Sequence, residues 1–324
     1  MGEAVFVRQL GGPEVLRPEP HDPGAPGEAC VRIRVAMAGV NFIDVYFRTG
    51  VYPRPLPFIS GLEGAGVVEE VGPGVSQLVP GDRVAWASVP GSYATHLIAP
   101  ADRVVPVPDR VSDSDAAAAM LQGMTAHYLV HGCRDTRSSD VALVHAAAGG
   151  AGLLLVQTLK HAGATVIGTC GTEAKAAIAR DAGADHVIRY TQENFAEAVG
   201  RLTNGRGVDV VYDSVGQSTF EGSLQALRPR GLLVLFGQSS GVVPPFDLNR
   251  LNNLGSLFVT RPSLAHYTAD REELSMRADA VLAAVETGTL RIRIGGEYPL
   301  ADAAEAHRAL ESRATTGKLL LRPA

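Results

Sequence analysis

At 324 residues, 46% apolar and 19% charged, the chain can fill two cores and carries too few charges for a disordered polymer. A net charge of −5 with no dense basic block argues against nucleic acid or an anionic membrane surface as the main partner. No apolar run approaches the ~18 residues of a membrane span, and Glu3 and Arg8 break the stretch where a secretory signal needs an apolar core, so a cytoplasmic protein acting on a small molecule is expected.

Residues 1–110 alternate short β-type runs (4–7, 29–35, 65–71, 83–87, 93–98) with Gly/Pro turns and show little helical period. Ser112 followed by Asp115 resembles a capping box, and the alanine-rich run to His131 predicts a helix. Residues 141–175 carry the strongest signal. An apolar strand (141–144) stops at small residues, and Gly149, Gly150 and Gly152 open a helix whose apolar face is Leu153, Val156 and Leu159. Such glycines permit a tight turn and let backbone approach a pyrophosphate, whose charge faces helix N-terminal N–H groups. The usual G-x-G-x-x-G would need glycine at 147, where this chain has Ala147. A second strand (164–169) ends not in the Asp or Glu that holds an NAD ribose but in Thr169, Gly171, Thr172 and Lys175, which points to NADP. Lys175 and Tyr190 are candidates for the 2′-phosphate, against a solvated lysine and a strand-end tyrosine as the plain alternative.

Strands at 186–190, 208–213 and 232–236 alternate with helical stretches at 195–202 and 220–227, which implies a parallel, doubly wound sheet. A cofactor should lie over the carboxyl ends of those strands, nominating Ser214 and the turn Phe236-Gly237-Gln238-Ser239. From Glu272 a helix, a strand at 290–294, a helix at 301–310 and a strand at 318–321 depart from that repeat and could return to the first domain. The expected domains are 1–120, 121–262 and 263–324. Cys30, Cys133 and Cys170 are scattered, so neither a disulfide framework nor a cysteine zinc site is encoded. His127 and His131 stand at i, i+4 on a helix but lack a third ligand, and helix packing is the better reading.

Gly11-Gly12-Pro13-Glu14-Val15-Leu16, Gly39-Val40-Asn41-Phe42-Ile43-Asp44, Arg48-Thr49-Gly50-Val51-Tyr52-Pro53, Gly81-Asp82-Arg83-Val84, the 145–152 turn and Val259-Thr260-Arg261-Pro262-Ser263 follow one another in order. With them the chain resembles, end to end, the NADPH:quinone oxidoreductases, the zeta-crystallin-like, zinc-free branch of the medium-chain dehydrogenases. The resemblance implies an α/β protein: a GroES-like β-rich domain completed by the C-terminal segment, a Rossmann domain inserted between, an active site in the cleft, and a homodimer. It assigns the cofactor to Phe42, Ile43, Asp44 and Tyr46 of the first domain. Along the second it adds Thr125, Tyr128, Gly149, Gly150, Ala151, Gly171, Thr172, Lys175, Tyr190, Ser214, Phe236, Gly237, Gln238 and Ser239, then the Arg261-Pro262-Ser263 turn and, near the end, Arg313. Val234, Leu257 and Val259 could serve an edge-to-edge strand contact or be core.

Zinc-dependent relatives carry a G-H-E motif, and here Gly61-Leu62-Glu63 puts leucine at the ligand position; the cysteine of the GVNFID loop is also replaced. No catalytic zinc is expected. Reducing a simple carbonyl creates a concentrated alkoxide charge that needs a Lewis acid or strong proton donor, whereas a quinone yields a delocalised aromatic anion. The expected reaction is hydride, or single-electron, transfer from NADPH to a quinone beside Asn41, Tyr46 and Tyr52, with the protein mainly orienting the pair. Asn41 could donate to a quinone oxygen or to the cofactor ribose; either tyrosine could stack or donate a proton; Asp44 reads as a cap and Glu63 as a buried structural carboxylate. The rival within the superfamily is an enone or enoyl C=C reductase, and from a different class a non-catalytic, RNA-binding or structural role that the acidic balance disfavours.

Overall fold

The computed structural model describes residues 2–324. In chain order it runs β1 (Gly2–Val7), β2 (Leu16–His21), β3 (Cys30–Val40), α1 (Phe42–Thr49), β4 (Phe58–Ile59), β5 (Glu63–Val71), β6 (Arg83–Ala87), β7 (His96–Pro100), β8 (Val104–Pro106) and α2 (Asp113–His131). It continues β9 (Val141–Val144), α3 (Gly150–His161), β10 (Thr165–Cys170), α4 (Glu173–Asp181), β11 (His186–Arg189), α5 (Phe195–Leu202), β12 (Val208–Asp213), α6 (Phe220–Ala226), β13 (Leu227–Leu235), α7 (Asn249–Asn253) and β14 (Phe258–Thr260). It closes with α8 (Arg271–Glu286), β15 (Ile294–Pro299), α9 (Ala303–Glu311) and β16 (Lys318–Arg322). The chain divides into two compact units, Met1–Met124 with Thr268–Ala324, and Thr125–Tyr267.

In the first unit, one sheet has the order β15-β16-β3-β5-β6-β8 with β7 also on β3, and a second has the order β2-β1-β4. Val5, Val31, Ile33, Val84, Trp86, Leu319 and Leu321 are among its buried core. β16 lies antiparallel to β3, pairing Leu319 with Val40, and β5 lies antiparallel on β3, pairing Gly64 with Ala38. The end of β3 and the starts of its two neighbours β5 and β16 therefore lie at the same end of the sheet, which brings Asn41, Glu63 and Lys318 together.

Three expectations needed correction here. The segment after β3 is a helix, α1, because Asp44 takes the backbone N–H of Asn41 at its start (2.9 Å) and Gly50, at φ 81°, closes it. The run at 93–98 is shared between partners: Tyr93 and Thr95 bond to Val5 and Glu3 of β1, and the strand on β3 begins only at His96. The strand placed at 290–294 is Ile294–Pro299, a Gly-containing edge whose pairing with β16 overrides poor strand propensity.

The second unit is a six-stranded parallel sheet in the order β11-β10-β9-β12-β13-β14, the doubly wound arrangement with its reversal between β9 and β12. Val234 and Leu257 belong to its core, while Phe258 and Val259 on the outermost strand are 62% and 38% exposed. The alanine at 147 has a physical explanation on the neighbouring strand. A Cβ on Gly168 would lie 2.8 Å from the Ala147 Cβ, so the space that glycine would leave at 147 is supplied from β10 instead. Gly168→Ala should cost ~1–3 kcal/mol, and Ala147→Gly added to it should restore the thermal midpoint; no recovery in the double variant would refute the exchange.

Candidate functional site

The glycine turn is built by backbone contacts that exclude side chains. A Cβ on Gly152 would meet the Ala146 carbonyl oxygen at 2.3 Å, and Ala146 itself is left-handed at φ 52°. Gly149 caps α3 in an extended conformation with no side chain on the first N–H groups and no acidic residue in the first turn. That leaves donors and the positive end of the helix dipole for an anion, with Gly150 and Ala151 half-buried beside them.

The carboxyl ends of β9, β10 and β12 are tied by a buried chain. His145 bonds Thr169 (2.9 Å) and Ser223 (3.0 Å), and Ser223 donates to Asp213 (2.9 Å). Because the Ser223 hydroxyl donates to a carboxylate, it accepts from His145 Nε2, which leaves Nδ1 to accept from Thr169. Burial holds the His145 pKa down, so the ring is neutral. Asp213 also takes the N–H groups of Val215 and Gly216 (2.8 and 3.0 Å), which shapes the turn carrying Ser214.

At the end of β10, Thr172 caps α4 by accepting the Lys175 N–H (3.3 Å). The Lys175 side chain is half-buried, which lowers its pKa, and Tyr190 is exposed with its hydroxyl over Gly171, where a Cβ would stand 2.8 Å away. Arg261 donates to the Leu235 carbonyl (2.9 Å) and to Gln238 Oε1 (3.0 Å), joining the Arg261-Pro262-Ser263 turn to the Phe236-Gly237-Gln238-Ser239 turn. Thr125 is buried, and Tyr128 is buried and stacked on Tyr267 with centroids 4.5 Å apart. Arg313 belongs to the first unit, at φ 58° just beyond α9.

In the first unit the Asn41 amide is fully committed. Its Nδ2 donates to Glu63 (2.8 Å) and, more weakly, to the Gly39 carbonyl (3.4 Å); its Oδ1 accepts from Lys318 Nζ (2.7 Å) and Gln122 Nε2 (3.1 Å). Glu63 and Lys318 form an ion pair with side chains 0% and 2% exposed, and Glu63 also accepts the Leu121 N–H. A Cβ on Gly39 would meet Glu63 at 2.4 Å, so glycine there admits the carboxylate. The expected Asn41 donor thus points at Glu63, and Glu63 is the buried carboxylate anticipated for it.

Tyr46 and Tyr52 pack edge-to-face at 5.2 Å, with Phe42 at 6.3 Å from Tyr46. Phe42, Ile43 and Tyr52 are half-buried, whereas the Asp44 side chain is buried and accepts a hydrogen bond from Tyr93 Oη (3.0 Å). Leu62 is buried beside this network. Among the described residues no group of three His, Cys, Asp or Glu stands together to hold a metal. The zinc-ligand positions carry an amide and a leucine, and the carboxylate that follows the leucine is neutralised by the chain's own ammonium.

Lys318 and Gln122 were not singled out from the sequence. Only the antiparallel register of β16 on β3 brings Lys318 to Asn41, 277 residues away along the chain.

Residues 27–109 match the alcohol dehydrogenase GroES-like domain and residues 150–273 the zinc-binding dehydrogenase domain. The chain is 44% identical to a quinone oxidoreductase of Pseudomonas aeruginosa over all of both chains, and 43% identical to a 2-haloacrylate reductase of a Burkholderia species over 99% of this chain and 98% of that one. Its fold superposes on the quinone oxidoreductase of Escherichia coli complexed with NADPH with a TM-score of 0.97 at 43% identity, covering 99% of this chain and all of that one. With a doubly wound sheet interrupting a GroES-like domain and full-length identity at this level, the chain belongs to the quinone oxidoreductase branch of the medium-chain dehydrogenases.

Proposed function

We propose that the chain reduces quinones with NADPH. A quinone, NADPH and one proton become a hydroquinone and NADP⁺; NADPH supplies the hydride when bound, and the proton comes from solvent. The observation that carries the cofactor reading is the pairing of an open helix N-terminus at Gly149 with a β10 end that offers Thr172, Lys175 and Tyr190 in place of a carboxylate. Gly149, Gly150 and Ala151 would receive the pyrophosphate, Lys175 and Tyr190 the 2′-phosphate, and the turns at Ser214, 236–239 and 261–263 the remaining nucleotide. In the first unit Phe42, Ile43 and Tyr46 offer apolar surface to the nicotinamide half, with Tyr46 and Tyr52 orienting the quinone ring.

With the Asn41 amide saturated, the protein acts on the quinone chiefly by orienting it and excluding water. A quinone suits such a site, because the charge it gains is spread over a ring becoming aromatic. The 43% identity to a 2-haloacrylate reductase favours a second reading, C=C reduction, in which a positioned acid must protonate carbon. NADPH oxidation measured against benzoquinone, naphthoquinone, 2-cyclohexenone and crotonyl thioester separates the two. Turnover of the last two alone would replace the quinone reading.

Lys175→Glu should raise the Michaelis constant for NADPH by about 10- to 100-fold, the equivalent of ~1.5–3 kcal/mol, and leave that for NADH nearly unchanged. Equal effects on both cofactors would remove Lys175 from the phosphate site. The proposed working form is a cytoplasmic homodimer, supported by the exposed apolar edge at Phe258 and Val259, where a second copy could extend the sheet. Val259→Lys with Phe258→Asp should halve the mass seen by light scattering; an unchanged mass would move the interface elsewhere.

A further inference from the structure

The Glu63–Lys318 pair does more than neutralise itself, because it fixes which way two amides face. Lys318 Nζ can only donate and Glu63 accepts, so Asn41 must turn Oδ1 to the ammonium (2.7 Å) and Nδ2 to the carboxylate (2.8 Å). With its Oδ1 already an acceptor, Asn41 can be met by Gln122 only through the Gln122 amide nitrogen (3.1 Å). The usual ambiguity between amide oxygen and nitrogen is thereby resolved for both residues. The consequence falls on the other end of Gln122: its Oε1 is buried and accepts no hydrogen bond. A buried carbonyl oxygen left so is costly, and here it cannot be relieved by rotating the amide without placing two oxygens together at Asn41.

The polarity of this acceptor selects its ligand. A quinone presents only carbonyl oxygens, which Gln122 Oε1 repels, whereas the nicotinamide nucleoside of NADPH carries N–H and O–H donors. Position agrees: Gln122 bonds the residue that caps α1, whose first turns hold Phe42, Ile43 and Tyr46, and it lies one helical turn before Thr125 on α2. We propose that Gln122 is a cofactor-binding residue, its Oε1 accepting a hydrogen bond from the carboxamide N–H or a ribose hydroxyl of the nicotinamide nucleoside, with Glu63 and Lys318 as the positioning residues that hold it in that sense. The inference rests on the NADPH reading above and adds a specific contact to it.

The test is a calorimetric titration of the full-length apo protein with NADPH and with its 3-acetylpyridine analogue, which keeps the ribose hydroxyls but lacks the amide N–H. Gln122→Met should weaken NADPH binding about three- to tenfold, as expected for one neutral hydrogen bond, while the thermal midpoint of the apo protein reports the balance between the lost Asn41 contact and the removal of the buried oxygen. If the carboxamide is the donor, wild type binds the analogue more weakly by a similar factor and the substitution adds no further loss. An equal loss with both nucleotides assigns the bond to a ribose hydroxyl instead. Unchanged NADPH affinity in Gln122→Met overturns the proposal, and Gln122→Ala provides the same comparison should the methionine variant misfold. Failure of the wild type to bind NADPH would instead strike at the cofactor reading itself.

Discussion

Lys318→Met should destabilise the protein by about 3–5 kcal/mol, the cost of leaving a buried carboxylate without its counter-charge. Glu63 is 0% exposed, and its remaining neighbours are the Asn41 amide and the Leu121 N–H, neither of which carries charge. The ammonium is a partner to both Glu63 and Asn41, so its removal also frees Asn41 to turn over. Pairing Lys318→Met with Glu63→Gln removes both charges, and that double variant should recover more than half of the lost stability, since a neutral amide is far cheaper to bury than an unpaired ion. At ~2–4 °C per kcal/mol for a domain of this size, the single variant should melt roughly 6–20 °C below wild type. A shift under ~2 °C would mean that Glu63 tolerates isolation, and the charge-pair account of this buried network would fail. Recovery of stability without recovery of NADPH affinity in the double variant would separate the pair's structural role from its orienting one.

What could be read from the sequence was what lies close along the chain. The 149–152 glycines, the absent carboxylate after β10 and the Ser112–Asp115 cap are each local, so their geometry follows from a few adjacent residues. Helix α1 is not legible locally because Phe42, Ile43, Val45, Tyr46 and Phe47 are strand-favouring types; what makes them helical is the Asp44 contact at the start and Gly50 at the end. The Ala147–Gly168 exchange becomes visible only once β9 and β10 are aligned. The Asn41 network lay furthest from view. From the sequence Asn41 reads as a donor and Glu63 as a buried structural carboxylate, but the cation that completes them sits on the last strand and reaches them through sheet register, for which a single sequence holds no periodic signal.

Asp44→Asn should make the protein acid-sensitive, and His307→Gln should do the opposite, because these two buried groups offset each other in the wild type. Arg48 Nη1 donates to His307 Nδ1 (3.2 Å), so the ring proton sits on Nε2 and points to Tyr93 Oη (3.1 Å), which in turn donates to Asp44 (3.0 Å). Burial, reinforced by the Arg48 charge, lowers His307 from 6.5 to about 3, and burial raises Asp44 from 3.8 to about 7. Between roughly pH 4 and 6.5 the folded state therefore keeps one proton on Asp44 and none on His307, while the unfolded chain keeps one on His307 and none on Asp44. Each state holds a single proton on the pair, so the pair contributes no pH slope there. In Asp44→Asn only His307 remains: the unfolded chain binds the extra proton, and stability falls on acidification from pH 6.5 by up to ~1.4 kcal/mol per unit. In His307→Gln only Asp44 remains: the folded state binds the extra proton, so stability rises as pH falls from 7 towards 4. Denaturant midpoints at pH 4.5 and 6.5, taken as differences from wild type, should diverge in opposite directions by about 2–3 kcal/mol. If both variants run parallel to wild type, Asp44 and His307 titrate normally in the fold and the hydrogen-bond chain does not set their protonation.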